Sequence, residues 1–279
     1  MAKKNIRIIP KLDIKNGLLI KGINLEGLRV LGQPNDFAKY YYDNGADEIY
    51  YLDNVATLYG IPQSLKYLAS ATKNIFVPFG IGGGIKSLID IENILKKGGD
   101  KVIVNSSFHE DKKFLIAAPK TFGSSTIVAL IETVKIENQY YVSKYNGREL
   151  IKKNPLEWAK ECENSGVGEI FLTCVNNEGV QKGFDLEIIG KIANSVNIPV
   201  IAHGGAGSIM DIYKLINQTN VSGVGISSLL HYDAIHKFKK KTKLGNNRYI
   251  KSIQKSKQKT TNILREIKNF LKKKGINVR

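Results

Sequence analysis

The chain has 279 residues, 42% of them hydrophobic and 24% charged, enough apolar material for one large core. No run of about 18 apolar residues exists, so no membrane span is expected, and the opening Met1-Ala2-Lys3-Lys4-Asn5 lacks the apolar stretch of a signal peptide. The net charge of +17 is concentrated at one end: Lys237 to Arg279 hold 16 Lys and Arg and one acid, Glu266, against 26 basic and 24 acidic residues elsewhere.

Residues 6–14, Ile-Arg-Ile-Ile-Pro-Lys-Leu-Asp-Ile, read as a first strand, 15–17 as a turn and 18–22 as a short continuation. A helix is predicted over 34–44, a second strand over 48–53, a helix over 64–73 and a third strand over 75–79. A helix over 88–97 leads to a fourth strand over 101–105, and 111–122 precede a fifth over 126–132. Residues 139–144 with the Asn146-Gly147 turn resemble a small hairpin over the mouth. A helix over 155–165 is followed by strands over 169–175, 199–203 and 223–226, which completes eight.

Two glycine stretches organise this succession. Phe79-Gly80-Ile81-Gly82-Gly83-Gly84-Ile85 and Ile201-Ala202-His203-Gly204-Gly205-Ala206-Gly207 each follow a short apolar run containing a proline. An apolar strand ending in glycines ahead of a helix makes an anion-binding turn, where backbone N–H groups approach a phosphate that a Cβ would keep away. Pro78 and Pro199 are 121 positions apart, and the same spacing relates Gly45 to Gly166, Glu48 to Glu169, Gly83 to Gly204 and Ser106-Ser107 to Ser227-Ser228; Asp13 and Glu132 are 119 apart. The register predicts a duplicated unit of about four βα pairs, and two copies give a closed (β/α)8 barrel. The predicted organisation is a barrel over 1–235, a basic insertion over 236–264, and a final helix with the C-terminus over 265–279.

Chemistry in such barrels sits at the C-terminal ends of the strands. That rule puts Asp13, Asp53, Asn105, Glu132, Asn176, Glu178, His203 and Ser228 on the top face, and Arg7, Glu48, Lys101 and Glu169 on the bottom. Six positions separate Arg7 from Asp13, about 20 Å of extended chain, so the two faces cannot share one reaction centre. Asp13 and Glu132 fall on opposite strands, an arrangement suited to a general acid and a general base acting on two ends of one substrate. An Asp before Ile14-Lys15-Asn16-Gly17 also suits turn stabilisation. The glycine turns, with Asn105-Ser106-Ser107 and Ser227-Ser228, predict two phosphate sites and a long substrate phosphorylated at each end; Lys21 could add a cation. The four bottom charges would converge as a ring of salt bridges, which on residues alone reads as a plug closing the fold.

These residues resemble the cyclase subunit of imidazole glycerol phosphate synthase. The match is carried by Arg7-Ile-Ile-Pro-Lys-Leu-Asp13, Lys21-Gly22, Gly45-Ala-Asp-Glu48, Leu52-Asp53, Gly82-Gly-Gly-Ile85, Asp100-Lys101, Asn105, Glu169-Ile, Leu172-Thr173, Gly204-Gly-Ala-Gly207 and Gly275-Ile-Asn-Val-Arg279. The resemblance implies a barrel that receives ammonia from a glutaminase partner at its bottom. The ammonia crosses the barrel and reacts at the top with a bis-phosphorylated aminoimidazole ribonucleotide precursor. It makes Asp13 and Glu132 the acid/base pair, and turns Arg7, Glu48, Lys101 and Glu169 from a plug into an ammonia gate. It places Asp100 at the glutaminase-facing rim. Substrate and phosphate contacts fall on Lys21, Asp53, Gly83, Gly84, Asn105, Ser106, Thr173, Glu178, His203, Gly204, Gly205, Ser227 and Ser228.

Departures from the family pattern cluster at the top. Glu132 stands for an aspartate, Lys11 for a cysteine, Asn176 and Glu178 for aspartates, and His203 for a serine. They leave an alternative open: a paralogous ammonia-delivering subunit for amidation of an amino sugar in surface polysaccharides. Cys162 and Cys174 give neither zinc spacing nor a disulfide framework, so a reducing cytoplasm and no metal or cofactor are expected. The basic tail suits a polyanion. Its aromatics are few, Phe238, Tyr249 and Phe270, so a solvated helix is preferred to a nucleic-acid arm.

Overall fold

The computed structural model describes residues 5–53, 56, 74–238, 248–249, 251–252 and 262–279. In chain order the first strands are β1 (Arg7–Lys15), β2 (Leu18–Ile23), β3 (Glu26–Gly32) and, after helix α1 (Pro34–Asp43), β4 (Ile49–Asp53). Then come β5 (Phe79–Gly82), α2 (Leu88–Lys96), β6 (Lys101–Val104), α3 (Ser106–Glu110), α4 (Lys112–Phe122) and β7 (Ile127–Ile136). The second half holds β8 (Gln139–Lys144), β9 (Glu149–Ile151), α5 (Pro155–Asn164), β10 (Glu169–Cys174), α6 (Leu186–Ser195), β11 (Val200–His203), α7 (Ile209–Gln218), β12 (Gly223–Ile226), α8 (Ser228–Ala234) and α9 (Ile263–Lys273). Eight parallel strands run in the order β1-β4-β5-β6-β7-β10-β11-β12, and the β12–β1 pairing closes them into a (β/α)8 barrel.

The period-two rule of a strand builds the interior. In β1, Ile8, Leu12 and Ile14 join the large core under the helices, whereas Ile9 belongs to a separate inner cluster with Tyr50, Leu52, Ile103, Val128, Phe171 and Ile201. Arg7, Ile9, Lys11 and Asp13 therefore form one inward-facing line from bottom to top.

The third strand lies later than predicted, over Phe79–Gly82 rather than 75–79. Its glycines belong to the strand because inner-wall space is already taken. A Cβ on Gly80 would stand 2.6 Å from the Tyr50 ring, and one on Gly82 2.4 Å from Leu52. Gly225 of β12 stands in the same relation to Phe171, at 2.6 Å.

The repeat is visible in local structure. Ser87 and Ser208 cap α2 and α7 by accepting from the N–H of Asp90 and Asp211, at φ −147° and −148°. Gly45 and Gly166 both take positive φ, 88° and 93°. The serine register shifts by one. Asn105 corresponds to Ser227 and Ser106 to Ser228, since each pair opens the short helix after a strand with nearly the same backbone angles at the first member.

Strand β3, helices α6 and α7 and the two short helices were not predicted, and the fifth strand runs on to Ile136. The predicted hairpin around Asn146-Gly147 forms between β8 and β9, Val142↔Ile151 to Lys144↔Glu149, and β8 also pairs back onto β7, Glu132↔Ser143 to Ile136↔Gln139. The final helix begins at Ile263, with Asn262 accepting from Arg265 N–H, and the end of the chain returns to the barrel through Ile6 N–H to Asn277 O at 2.9 Å. The predicted helix over 64–73 and most of the 236–264 insertion lie outside the described residues. Among the described residues no helix is long and apolar enough to cross a membrane.

Candidate active site

At the bottom the four predicted charges meet. Arg7 donates to Glu48 at 2.5 Å and to Glu169 at 2.6 Å, and Lys101 reaches Glu48 at 3.0 Å and Glu169 at 3.1 Å. Burial works to raise the Glu48 pKa, but Lys101 and Arg7 hold it below the usual value. Tyr50 sits just inside the ring, donating its hydroxyl to Glu169 at 2.5 Å, with Glu48 as the alternative acceptor at 3.2 Å. Burial, then the two carboxylates, raise the Tyr50 pKa well above normal, so the hydroxyl stays a donor. Tyr50 escaped the sequence reading; its signal was the alternation Glu48, Tyr50, Leu52 on one strand face. Tyr50→Phe should cost about 1–3 kcal/mol by leaving buried carboxylates short of a donor, measurable by urea unfolding. Exposed Asp100 stands at the same rim and accepts from Phe79 N–H at 2.8 Å.

Above the apolar band, Lys11 forms a buried ion pair with Asp13. Across the barrel, four strands away, Glu132 accepts from Gly147 N–H at 2.9 Å and from the Asn105 amide. Burial pushes the Glu132 pKa up to about 7, a rise that Gly147 N–H, Lys11 and Asn105 limit and the Asp13 charge assists. The hairpin turn that brings Gly147 in has left-handed φ at Tyr145, Asn146 and Gly147 (55°, 59° and 77°). It also rests on Ser106, whose Oγ accepts from Tyr145 N–H at 3.2 Å. The place of this turn over the mouth was legible in the sequence, but its backbone N–H on Glu132 was not.

The first glycine turn opens into the same pocket. Lys11, Asp53, Gly83, Gly84, Asn105, Ser106, Glu132 and Thr173 all line it. Gly83 has φ +105°, and a Cβ there would stand 2.3 Å from the Asp53 carbonyl. Asp53 also accepts from Ala56 N–H at 3.0 Å. The second turn makes a smaller cavity lined by Glu178, His203, Gly204, Gly205, Ser227 and Ser228. His203 stacks on Phe171 and contacts Thr173 Oγ1 at 3.2 Å and Ser227 Oγ at 3.3 Å. Burial, followed by the charges of Lys11 and Lys21, drives its pKa well below normal, leaving a neutral ring in the wall of this cavity. Thr173 thus stands between the two cavities.

Two top-face residues have other partners. Lys21 is buried and paired with Glu178 at 2.5 Å. Asn176 accepts from Lys135 N–H at 2.8 Å and donates to Lys135 O at 3.2 Å, which ties it to the outgoing end of β7. His231, also missed, supports Lys11 from behind: Nε2 lies 3.1 Å from the Lys11 carbonyl and Nδ1 2.6 Å from the Tyr41 hydroxyl. Burial drives its pKa down to about 3. Among the described residues no group of three His, Cys, Asp or Glu side chains is placed to hold a metal ion.

Comparison with known proteins agrees with this geometry. The model of the family described as histidine biosynthesis protein matches residues 7–236. Imidazole glycerol phosphate synthase subunit HisF of Legionella pneumophila is 43% identical over 206 residues, 74% of this chain and 97% of the relative. The protein of that name from Natranaerobius thermophilus is 34% identical over 273 residues, 98% of each chain. The one from Sulfolobus acidocaldarius is 41% identical over 221 residues, 78% of this chain and 89% of the relative. A family match over residues 7–236, with relatives 34–43% identical, means that the chain belongs to the histidine biosynthesis protein family.

Proposed function

We propose that the chain is the cyclase subunit of an imidazole glycerol phosphate synthase. In this reading it joins ammonia to a bis-phosphorylated aminoimidazole carboxamide ribonucleotide precursor and releases imidazole glycerol phosphate and an aminoimidazole carboxamide ribotide. The observation that carries the reading is Glu132 in the pocket that the first glycine turn opens into, across the barrel from Lys11, which lines the same pocket and holds the buried Asp13. Adding an amine to a carbonyl carbon and closing a ring requires a proton removed from nitrogen and one delivered to a departing group. Asp13, paired with Lys11, supplies one carboxylate. Glu132, its pKa pushed up to about 7 by burial, supplies a group able to hold or give a proton. The cradles at Gly83-Gly84 and Gly204-Gly205 would hold the two terminal phosphates and stretch the substrate across the carboxylates.

The relatives carry the word subunit in their names. A glutaminase is the partner that suits a charged ring at the opposite end of the barrel. Arg7, Glu48, Lys101 and Glu169 then form the gate through which its ammonia enters, with Asp100 on the docking rim. The names of the relatives favour histidine biosynthesis over amidation of an amino sugar. Purified chain given ammonium salt near pH 8.5 and the ribulosyl precursor should form both products, followed by chromatography. A folded protein without turnover would remove this reading.

A further inference from the structure

The second cradle holds a feature that the proposed reaction does not use. Glu178 is 1% exposed and lines the cavity formed by Gly204, Gly205, Ser227 and Ser228. One carboxylate oxygen takes Lys21 Nζ at 2.5 Å. The other, Oε2, is buried with no hydrogen-bond partner among the described residues. A buried carboxylate oxygen without a donor is costly, and a carboxylate inside a glycine cradle stands where an anion is expected. His203, the nearest other side chain able to carry positive charge, lies 3.9 Å from Glu178 and is neutral. Lys21 is therefore the cation this carboxylate claims.

We infer that Glu178 is a placeholder anion: it occupies Lys21 while the second cradle is empty, and a terminal phosphate monoester entering the cradle displaces it and takes over the Lys21 ammonium. The displacement is a side-chain rotation. The Glu178 backbone is held at both ends, its N–H by Val175 O at 3.1 Å and its carbonyl by Asn24 N–H at 2.8 Å. The exchange makes the site selective. A dianionic phosphate outcompetes a monoanionic carboxylate for an ammonium, whereas an uncharged hydroxyl end group gives Lys21 nothing in return for Glu178. The substrate end seated here is thus chosen by charge, at the expense of some affinity.

This inference rests on the cradle being a phosphate site, as in the proposed function, but its test needs no turnover. Inorganic phosphate and glycerol phosphate are titrated calorimetrically into the full chain, which should show two sites. Glu178→Gln should tighten one of them about tenfold, the scale of one charge-assisted hydrogen bond released from competition. Lys21→Met should remove that same site and leave the other. Equal or weaker binding in Glu178→Gln, or two intact sites in Lys21→Met, overturns the inference. Should a variant fail to fold, a crystal structure of the unaltered protein with phosphate decides. Lys21 should contact the phosphate with Glu178 rotated away, and a phosphate seated with the Lys21–Glu178 pair unbroken overturns the inference.

Discussion

Glu132→Gln is expected to lower turnover by about 10²- to 10⁴-fold, the range of one general acid/base group, while making the protein more stable at pH 8. The two effects share one cause. Glu132 is buried, and its pKa is pushed from 4.5 to about 7. Below pH 4.5 the carboxyl is protonated in both folded and unfolded chains and its ionisation does not bear on stability. As pH rises through that value the unfolded chain ionises first, and the folded state loses ground until pH passes about 7. A rise of this size corresponds to about 3 kcal/mol. The glutamine variant has no proton to lose, so its stability relative to the unaltered protein should climb between pH 4.5 and 7 and level off above. Urea unfolding at several pH values measures it. A difference independent of pH would show that burial does not govern this carboxyl.

Arg7→Met should have the largest effect on stability. The arginine bridges two buried carboxylates, Glu48 and Glu169, and its removal leaves Lys101 and the Tyr50 hydroxyl to serve both. Breaking a buried pair from one side costs about 3–5 kcal/mol. Stability is read by urea unfolding, and function by a ratio. In the proposed complex with a glutaminase, turnover supported by glutamine should fall relative to turnover supported by added ammonium salt if the ring is the gate, since only the first would then depend on passage through it. An unchanged ratio in a less stable protein would make the four residues a plug, the reading that the residues alone favoured.

Much of this arrangement was legible in the chain because it follows from period and spacing. Strand ends place side chains on one face or the other, so Arg7, Glu48, Lys101 and Glu169 could be assembled before any coordinates. The recurrence near 121 residues anticipated both cradles. What stayed hidden depends on how bulk is shared across the bore. Gly80 and Gly82 read as a turn, yet they are strand residues, because Tyr50 and Leu52 fill the volume their side chains would need. Lys21 read as a cation for a phosphate, and the buried partner that neutralises it lies 157 positions away in the chain. Glu132 read as a carboxylate at a strand end. The donors that set its titration include a backbone N–H from a hairpin turn, which carries no residue signature.

Between the charged ring and the Lys11–Asp13 pair, the bore is walled by Ile9, Leu52, Ile103, Val128, Phe171 and Ile201. This hydrocarbon collar is a dielectric barrier. Carrying a bare ion of ammonium size into such a medium costs on the order of 20 kcal/mol before any relaxation, whereas a small neutral molecule pays only for its lost hydrogen bonds. If the ring is the proposed gate, an ammonium ion would leave its proton there and cross the collar as neutral ammonia, the form that can act as a nucleophile at the mouth.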